Sequence, residues 1–261
     1  SDYAAFMKHN GFNDIRGGGN FSGRITAPLC FAGAVCIQIL ESMGIEIGAH
    51  ISSIGTIDDE RFDPVNINKE TLDCVKAKAM PVIWDEKGKE MYALAEKAKS
   101  NLDSVGGTIE CAIIGIKAGI GDPIFDGIEN KISSVIFGIP AIKGIEFGSG
   151  FEGSKRFGSE NNDEFYVDEH GHVVTRTNNA GGILGGISSG MPITMRVAFK
   201  PTPSISKRQD SVDLFDEKDA ELSVRGRHDP CIATRGAVVV EAMTIFVIAD
   251  LLIRGGFVCR N

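Results

Sequence analysis

The stretch GGTIECAIIGIKAGIGDP (106–123) decides the fold. Apolar and small residues fill its first half and glycines its second, a pattern typical of a buried strand followed by a tight turn. The stretch IEIGAHISSIGTI (45–57) alternates apolar with small or polar residues, which predicts a second strand. Two further strands are predicted in AIKGIEFGSGF (141–151) and ITMRVAFKP (193–201).

Helical patterns lie between and after these strands. They predict apolar helices at 24–43, 124–138 and 234–252, and a charged helical pair at 66–100 broken by Pro81 and by Asp85–Gly88. The polar stretches 152–180 and 202–220 predict long loops that are mobile without ligand. Strands and helices alternate through long, glycine-rich connections, so we predict an α+β fold with largely antiparallel sheets. No clean linker interrupts the chain, and we expect one domain over residues 1–261.

Composition narrows the class of protein. The 261 residues are 43% apolar and 24% charged, with a net charge of −8, which disfavours both intrinsic disorder and nucleic-acid binding. Every long apolar run contains helix-breaking residues, so we expect no membrane span. The six cysteines form no CxxC pair and have mostly apolar neighbours. We therefore expect a cytoplasmic protein with reduced thiols and no metal site.

The loop RGGGNFSGR (16–24) is the first candidate binding element, because it directly precedes a predicted helix. Glycines allow a ligand to approach the backbone, a helix N-terminus attracts anions, and arginines bind phosphate or carboxylate. The alternative is a glycine-rich turn that Ser22 caps.

Three later stretches extend this chemistry. NNAGGILGGISSG (178–190) would bring backbone close to a bulky ligand, or form two tight turns. KPTPSIS (200–206) offers a lysine and hydroxyls for phosphate, or is a proline-stiffened loop. RGRHDPC (225–231) places the base candidate Asp229 beside His228 and two arginines, or Asp229 caps the last helix. Together the four stretches predict a large anionic ligand.

These stretches, together with SSVIFGIPAIKGIEFGSGF (133–151), resemble chorismate synthases in sequence and order over residues 1–257. The resemblance implies a β-α-β sandwich with helices between the sheets. It implies a lyase that removes phosphate from 5-enolpyruvylshikimate 3-phosphate by 1,4-anti elimination, giving chorismate. It also implies reduced FMN as cofactor, a homotetramer, and NADPH as reductant only if the enzyme is bifunctional.

The resemblance also assigns site residues. Those that would hold the flavin are Asn20, Phe21, Ser22, Ala141, Gly185, Lys200, Pro201, Thr202, Pro203, Ser204 and Arg227. Asp229 would be the catalytic residue, acting with flavin N5 on the ring proton, and Arg24 would bind substrate. Asn20-Phe21 departs from the family's usual Arg-Ser, which removes a cationic contact.

The first residues depart furthest from the family pattern. Ser1-Asp2-Tyr3 resembles the tail of a motif whose histidine is catalytic in the family, and a further histidine motif lies upstream of it in the family. We therefore expect an N-terminally truncated core fragment that is catalytically impaired because both histidines are missing. The alternative hypothesis is a non-catalytic flavin- or anion-binding module that uses the same core for oligomerisation.

Overall fold

The computed structural model describes residues 2–226 and 228–257. The helices are Asp2–Lys8 (α1), Thr26–Ser42 (α2), Lys69–Lys76 (α3), Asp85–Ser100 (α4), Ile128–Ile136 (α5), Gly150–Gly153 (α6), Gly158–Asn161 (α7) and Ala233–Arg254 (α8). The strands are Glu46–Ile54 (β1), Ile57–Asp58 (β2), Gly107–Ile114 (β3), Ile142–Phe147 (β4), Phe165–Val167 (β5), Val173–Thr175 (β6), Ile183–Leu184 (β7), Ile187–Ser188 (β8), Ile193–Phe199 (β9), Gln209–Asp213 (β10) and Lys218–Leu222 (β11). The 3₁₀ turns Gly19–Phe21 and Gly23–Ile25 precede α2.

One five-stranded sheet, in the order β2-β1-β3-β9-β4, organises the described chain. Every neighbouring pair in it is antiparallel, which confirms the predicted class. The stretch 106–123 supplies β3 at the centre of the sheet. Its apolar residues continue on both faces because both faces are covered.

The two faces of the sheet carry different cores. On one face, residues such as Ala49 and Cys111 pack under α8, and the Cys111 sulfur lies 4.0 Å from Thr244 Oγ1. On the other face, Gly48 lies under α3, where an added Cβ would come within 3.0 Å of Leu72 Cδ2. Glycine at position 48 therefore lets α3 lie close to the sheet.

Helices α2 and α8 run in the same direction. They touch where Gly33 meets Ala242, since a Cβ at Gly33 would lie 2.7 Å from Ala242 Cβ. Helix α8 begins with Ala233 beside Gly107, the first residue of β3. Only three residues join α2 to β1, a reach of at most about 14 Å, and β1 begins opposite Ile114 at the other end of β3. Both helices therefore begin at the end of the sheet where β3 begins.

The helical segment Gly23–Ser42, which is α2 with the turn before it, and helix α8 are long and apolar enough to cross a membrane, judged by length and composition alone. The apolar window of α8 is 67% buried, as in the core helix of a globular protein, whereas that of α2 is 17% buried. Large apolar side chains such as Phe31 and Val35 project from α2 into solvent. The absence of a membrane partner stays a prediction.

The predicted elements are largely confirmed, with three corrections. The expected break at Asp85–Gly88 is wrong, because α4 begins at Asp85, where acidic side chains suit a helix N-terminus. The loop predicted at 202–220 contains most of the β10–β11 hairpin, whose strands are polar on both faces. The loop predicted at 152–180 contains the end of α6, all of α7 and the β5–β6 hairpin.

Candidate functional site

Several predicted site segments meet at the end of the sheet where β3 begins and β9 ends. Lys200 N donates to Ala141 O at 3.0 Å, Val105 N donates to Pro230 O at 2.8 Å, and Ser104 Oγ donates to Thr202 O at 2.7 Å. We call the segments 102–106, 141, 200–206, 223–226 and 228–230 the strand-end site. Four stretches distant in sequence, around residues 104, 141, 201 and 230, are thus brought together by direct hydrogen bonds.

The proline-rich loop 200–206 is fixed on both sides. Val224 N donates to Ile205 O at 3.2 Å and Ser206 Oγ donates to Val224 O at 3.0 Å. On the other side, Lys207 N donates to Leu102 O at 3.1 Å. Pro201 and Pro203 restrict φ within the loop, so its polar groups are held in place before a ligand arrives.

The hydroxyl of Thr202 is buried without a hydrogen-bond partner in the described part of the chain. A buried hydroxyl in this condition costs about 1–3 kcal/mol relative to a paired one. Such groups are rare in native proteins and commonly await a ligand, an ion or a water molecule. The hydroxyl therefore marks a place inside the strand-end site where a polar ligand atom would be stabilised.

Two cationic side chains in the strand-end site, Lys200 and Arg225, have no acidic partner among the described residues, whereas Lys207 pairs with Asp103 at 3.2 Å. A backbone hydrogen bond from Ser104 and the Lys207 ammonium hold the pKa of the Asp103 carboxyl below its ordinary value. The net effect is an end of the sheet suited to an anionic ligand.

Asp229, the predicted catalytic residue, lies just before α8 and is part-exposed. Its Oδ1 pairs with Arg235 in the first turn of that helix, at 3.1 Å from the guanidinium. His228 uses Nε2 toward Val224 O at 3.2 Å. Arg227, a predicted flavin contact, lies outside the described residues.

The glycine-rich loop before α2 enters the same end of the molecule, because α2 begins there. Ser22 Oγ accepts from Arg24 N at 3.3 Å and so caps the short turn that follows, as the alternative reading of this loop required. Arg16 pairs with Asp14 at 2.9 Å, while Arg24 has no acidic partner in the described chain. Asn20 and Phe21 are exposed. Of the two arginines in this loop, Arg24 is therefore the one whose guanidinium can bind an anionic ligand without first leaving a carboxylate.

Gly185 lies elsewhere. It forms the turn of the β7–β8 hairpin, beside the start of β9, whereas the strand-end site begins where β9 ends. Seven strand residues separate the two places, about 20 Å. Neighbouring glycines in this cluster serve close backbone packing, since a Cβ on Gly182 would lie 2.4 Å from Pro192 O. A Cβ on Gly185 would meet nothing within 4 Å, so its own backbone is accessible.

Sequence reasoning missed Arg235 and the loop 102–106. Arg235 lies six positions beyond Asp229 and is one arginine among several, so only the fold of the α8 start identifies it as the partner. Ser104 reaches Thr202 across 98 positions of sequence, and no local pattern signals such a contact.

Comparison with known proteins gives concordant matches. The family described as chorismate synthase matches residues 1–253. The chorismate synthase of Dehalococcoides mccartyi strain ATCC BAA-2100 is 44% identical over 100% of this chain and 70% of its own length. That of Korarchaeum cryptofilum is 45% identical over 97% of this chain and 69% of its own length. A crystal structure of chorismate synthase superimposes with a TM-score of 0.77 and 30% identity, covering 97% of this chain and 70% of the other.

Proposed function

We propose, since the chain belongs to the chorismate synthase family, that the strand-end site is where it eliminates phosphate from 5-enolpyruvylshikimate 3-phosphate to give chorismate. The family places the chain among lyases. The convergence of residues 141, 200–206 and 229 at one end of the sheet is the observation that carries the location of the site.

Reduced FMN fits the residues at this end. The buried, unpartnered Thr202 hydroxyl offers a hydrogen bond to a polar ligand atom, and Lys200 and Arg24 offer positive charge to a phosphate. The backbone of the loop 17–23 is open, since added Cβ atoms at Gly17, Gly19 and Gly23 would meet nothing within 4 Å. When bound, reduced FMN supplies electron density to the substrate ring as phosphate departs.

The chain's own residues hold the substrate and move the proton. The substrate carries two carboxylates and a phosphate, and Arg24 together with Arg225 can bind such groups through charge-assisted hydrogen bonds. Asp229 accepts the ring proton. Arg235 holds Oδ1 of that carboxylate and leaves Oδ2 free to face the substrate.

We further propose that residues 1–261 by themselves turn over substrate slowly. His228 lies just before α8, and its Nε2 faces the Val224 carbonyl oxygen at 3.2 Å. Proton transfer at this site then rests on Asp229, whose Oδ1 is paired with Arg235.

The wider properties are proposals of the same kind. We infer one domain over residues 1–261, because the main core joins β1, β3, β9, α5 and α8. Free thiols at the described cysteines support a cytoplasmic location. We also propose a homotetramer without nucleic-acid or membrane partners, with NADPH relevant only to a bifunctional enzyme.

A second candidate function is a non-catalytic module that binds flavin or another anion and assembles through the same core. The exposed apolar side of α2 favours it, because such a surface suits association with another protein. It predicts flavin binding and an oligomer without elimination, in any protein that contains this chain.

An anaerobic assay with chemically reduced FMN separates these proposals. In the protein that carries this chain, Asp229→Asn is expected to abolish phosphate release while leaving FMN affinity and thermal stability unchanged. Asp219→Asn, on the exposed β11 strand, is the matched control and should retain turnover. Full turnover by the Asp229 variant would contradict the catalytic assignment. Turnover by residues 1–261 alone at the rate of a full-length relative would contradict the proposed impairment.

A further inference from the structure

A row of charged side chains crosses the sheet on the face opposite α8. In strand register, His50 on β1 is opposite Glu110 on β3, Glu110 is opposite Arg196 on β9, and Arg196 is opposite Glu146 on β4. Arg196 pairs with Glu146, which leaves His50 and Glu110 as a second pair. Four charged residues in one buried row are costly unless each is partnered.

His50 joins two carboxylates. Its Nε2 lies 2.8 Å from Glu110 Oε2 and its Nδ1 lies 3.5 Å from Asp59 Oδ2. The side chains of His50 and Asp59 are fully buried, and that of Glu110 is 7% exposed. The edge of the Phe62 ring covers the imidazole, with ring centroids 4.5 Å apart. A cation between two buried carboxylates offsets both negative charges, with Nε2 as the ring nitrogen in hydrogen-bond contact and Nδ1 buried beside Asp59 without a hydrogen bond among the described residues.

The same carboxylates hold the backbone of the segment that covers this face. Glu110 Oε2 accepts from Phe62 N at 2.9 Å. Asp59 accepts from Ile83 N at 2.5 Å and from Trp84 N at 3.1 Å. We call residues 59–84 the covering segment; it contains α3 and ends where α4 begins.

We propose that protonated His50 is a clip that holds the covering segment on the sheet, and that the segment loosens when His50 loses its proton. Deprotonation leaves two buried carboxylates facing each other across a neutral ring. Each carboxylate then gains by turning toward water, which releases the Phe62, Ile83 and Trp84 amides that it held.

The direction of the pH dependence follows from the surroundings of the imidazole. Burial alone would lower the pKa of His50, but hydrogen bonds and charge from Asp59 and Glu110 outweigh it and raise that pKa above its ordinary value. The clip is therefore fully closed below the ordinary histidine pKa of about 6.5, and it opens as pH rises through the raised pKa.

Other charged groups near the clip already have partners of their own. Arg196 is held by Glu146 on the β4 side. On the covering segment, Lys78 pairs with Asp85 at 2.8 Å and donates to Val82 O. The carboxylate of Glu60 accepts from the Trp84 indole. His50 is thus the group in this neighbourhood whose charge changes near neutral pH.

Trp84 makes the proposal measurable, because it is the single tryptophan of the chain and its backbone is held by Asp59. Its fluorescence, followed between pH 5.5 and 9, is expected to show one transition above pH 6.5 while far-ultraviolet circular dichroism stays constant. Hydrogen exchange of the Phe62, Ile83 and Trp84 amides should accelerate over the same range.

Three variants test the assignment. His50→Gln should abolish the transition. Glu110→Gln keeps an oxygen for the Phe62 amide but loses one charge beside His50, so the midpoint should fall by about 1 pH unit. His172→Gln is the matched control, because His172 also lies near a carboxylate, Asp168 at 3.4 Å, but is exposed; its transition should match the wild type.

The proposal is overturned if the wild-type protein shows no fluorescence transition. It is also overturned if the transition persists in His50→Gln. Loss of the transition in the His172 variant would overturn it as well. If His50→Gln fails to fold, the midpoint of Glu110→Gln decides: a shift to lower pH supports the clip, and an unshifted midpoint refutes it.

Discussion

Thr202→Val is the perturbation that tests the strand-end site most directly. Valine keeps the shape of threonine and removes the hydroxyl that has no partner in the described structure. Because a buried, unpaired hydroxyl costs about 1–3 kcal/mol, the variant should be more stable than wild type by an amount in that range when no ligand is present. The same change removes one hydrogen bond to the ligand, worth about 0.5–1.5 kcal/mol, which weakens FMN binding by about 2- to 13-fold.

Urea unfolding of the unliganded protein and fluorescence titration with FMN measure the two effects. Thr244→Val is the matched control, because Thr244 is also buried but donates to Val240 O at 2.8 Å. Its hydrogen bond is lost rather than relieved, so it should destabilise the protein and leave FMN affinity unchanged. Stability and affinity therefore move in opposite directions only at position 202.

A lower free energy of unfolding for Thr202→Val than for wild type would contradict this prediction. That result would mean that the hydroxyl has a partner in the free protein. Equal FMN affinity in wild type and variant would separately show that the hydroxyl does not meet the ligand, and would remove the main support for placing FMN at this end of the sheet.

Three further changes probe packing, charge and thiol chemistry. Gly33→Ala should destabilise the protein by about 1–3 kcal/mol because the new methyl group collides with the backbone of α8, whereas Gly23→Ala points into open space and should be neutral or slightly stabilising; thermal unfolding compares them. Lys200→Gln should weaken binding of a phosphate-bearing ligand about tenfold and flatten the dependence of affinity on salt, as measured by titration at two ionic strengths. Iodoacetamide at pH 8 should modify the exposed Cys74 and spare Cys111, whose thiol is buried and has a raised pKa, and mass spectrometry of the peptides reads out both.

The sheet could be predicted because its strands carry strong apolar patterns. The sides of β3 and β9 that face α8 are continuously apolar, with Ile109, Cys111 and Ile113 on β3 and Met195 and Val197 on β9, which indicates buried strands. The β10–β11 hairpin escaped prediction because QDSVD and KDAEL are mostly polar, and Val212, Ala220 and Leu222 are too few to form a strong alternating pattern. The start of α4 escaped prediction because DEKG (85–88) combines charged residues with a glycine, a pattern that indicates a turn as readily as a first helical turn.

The site was predictable as a set of loops and not as an arrangement. The motifs name Ala141, Lys200 and Asp229, but which of them share an end of the sheet depends on the register between β4 and β9. Gly185 lies elsewhere because it forms the turn of the β7–β8 hairpin, which precedes the start of β9. Arg235 and the His50–Glu110 pair depend on contacts made across the fold, and a single sequence carries no signal for them.

The strand order has a consequence for how the chain is made. β9 lies between β3 and β4 although it follows both in sequence, so β3 has an open edge until residue 199 has left the ribosome. At roughly 5–20 residues per second, the stretch from 114 to 199 takes roughly 4–17 seconds to synthesise. During that interval the most apolar strand of the protein is available to other chains. Translation speed through residues 115–199 therefore sets how long the nascent protein is exposed to aggregation.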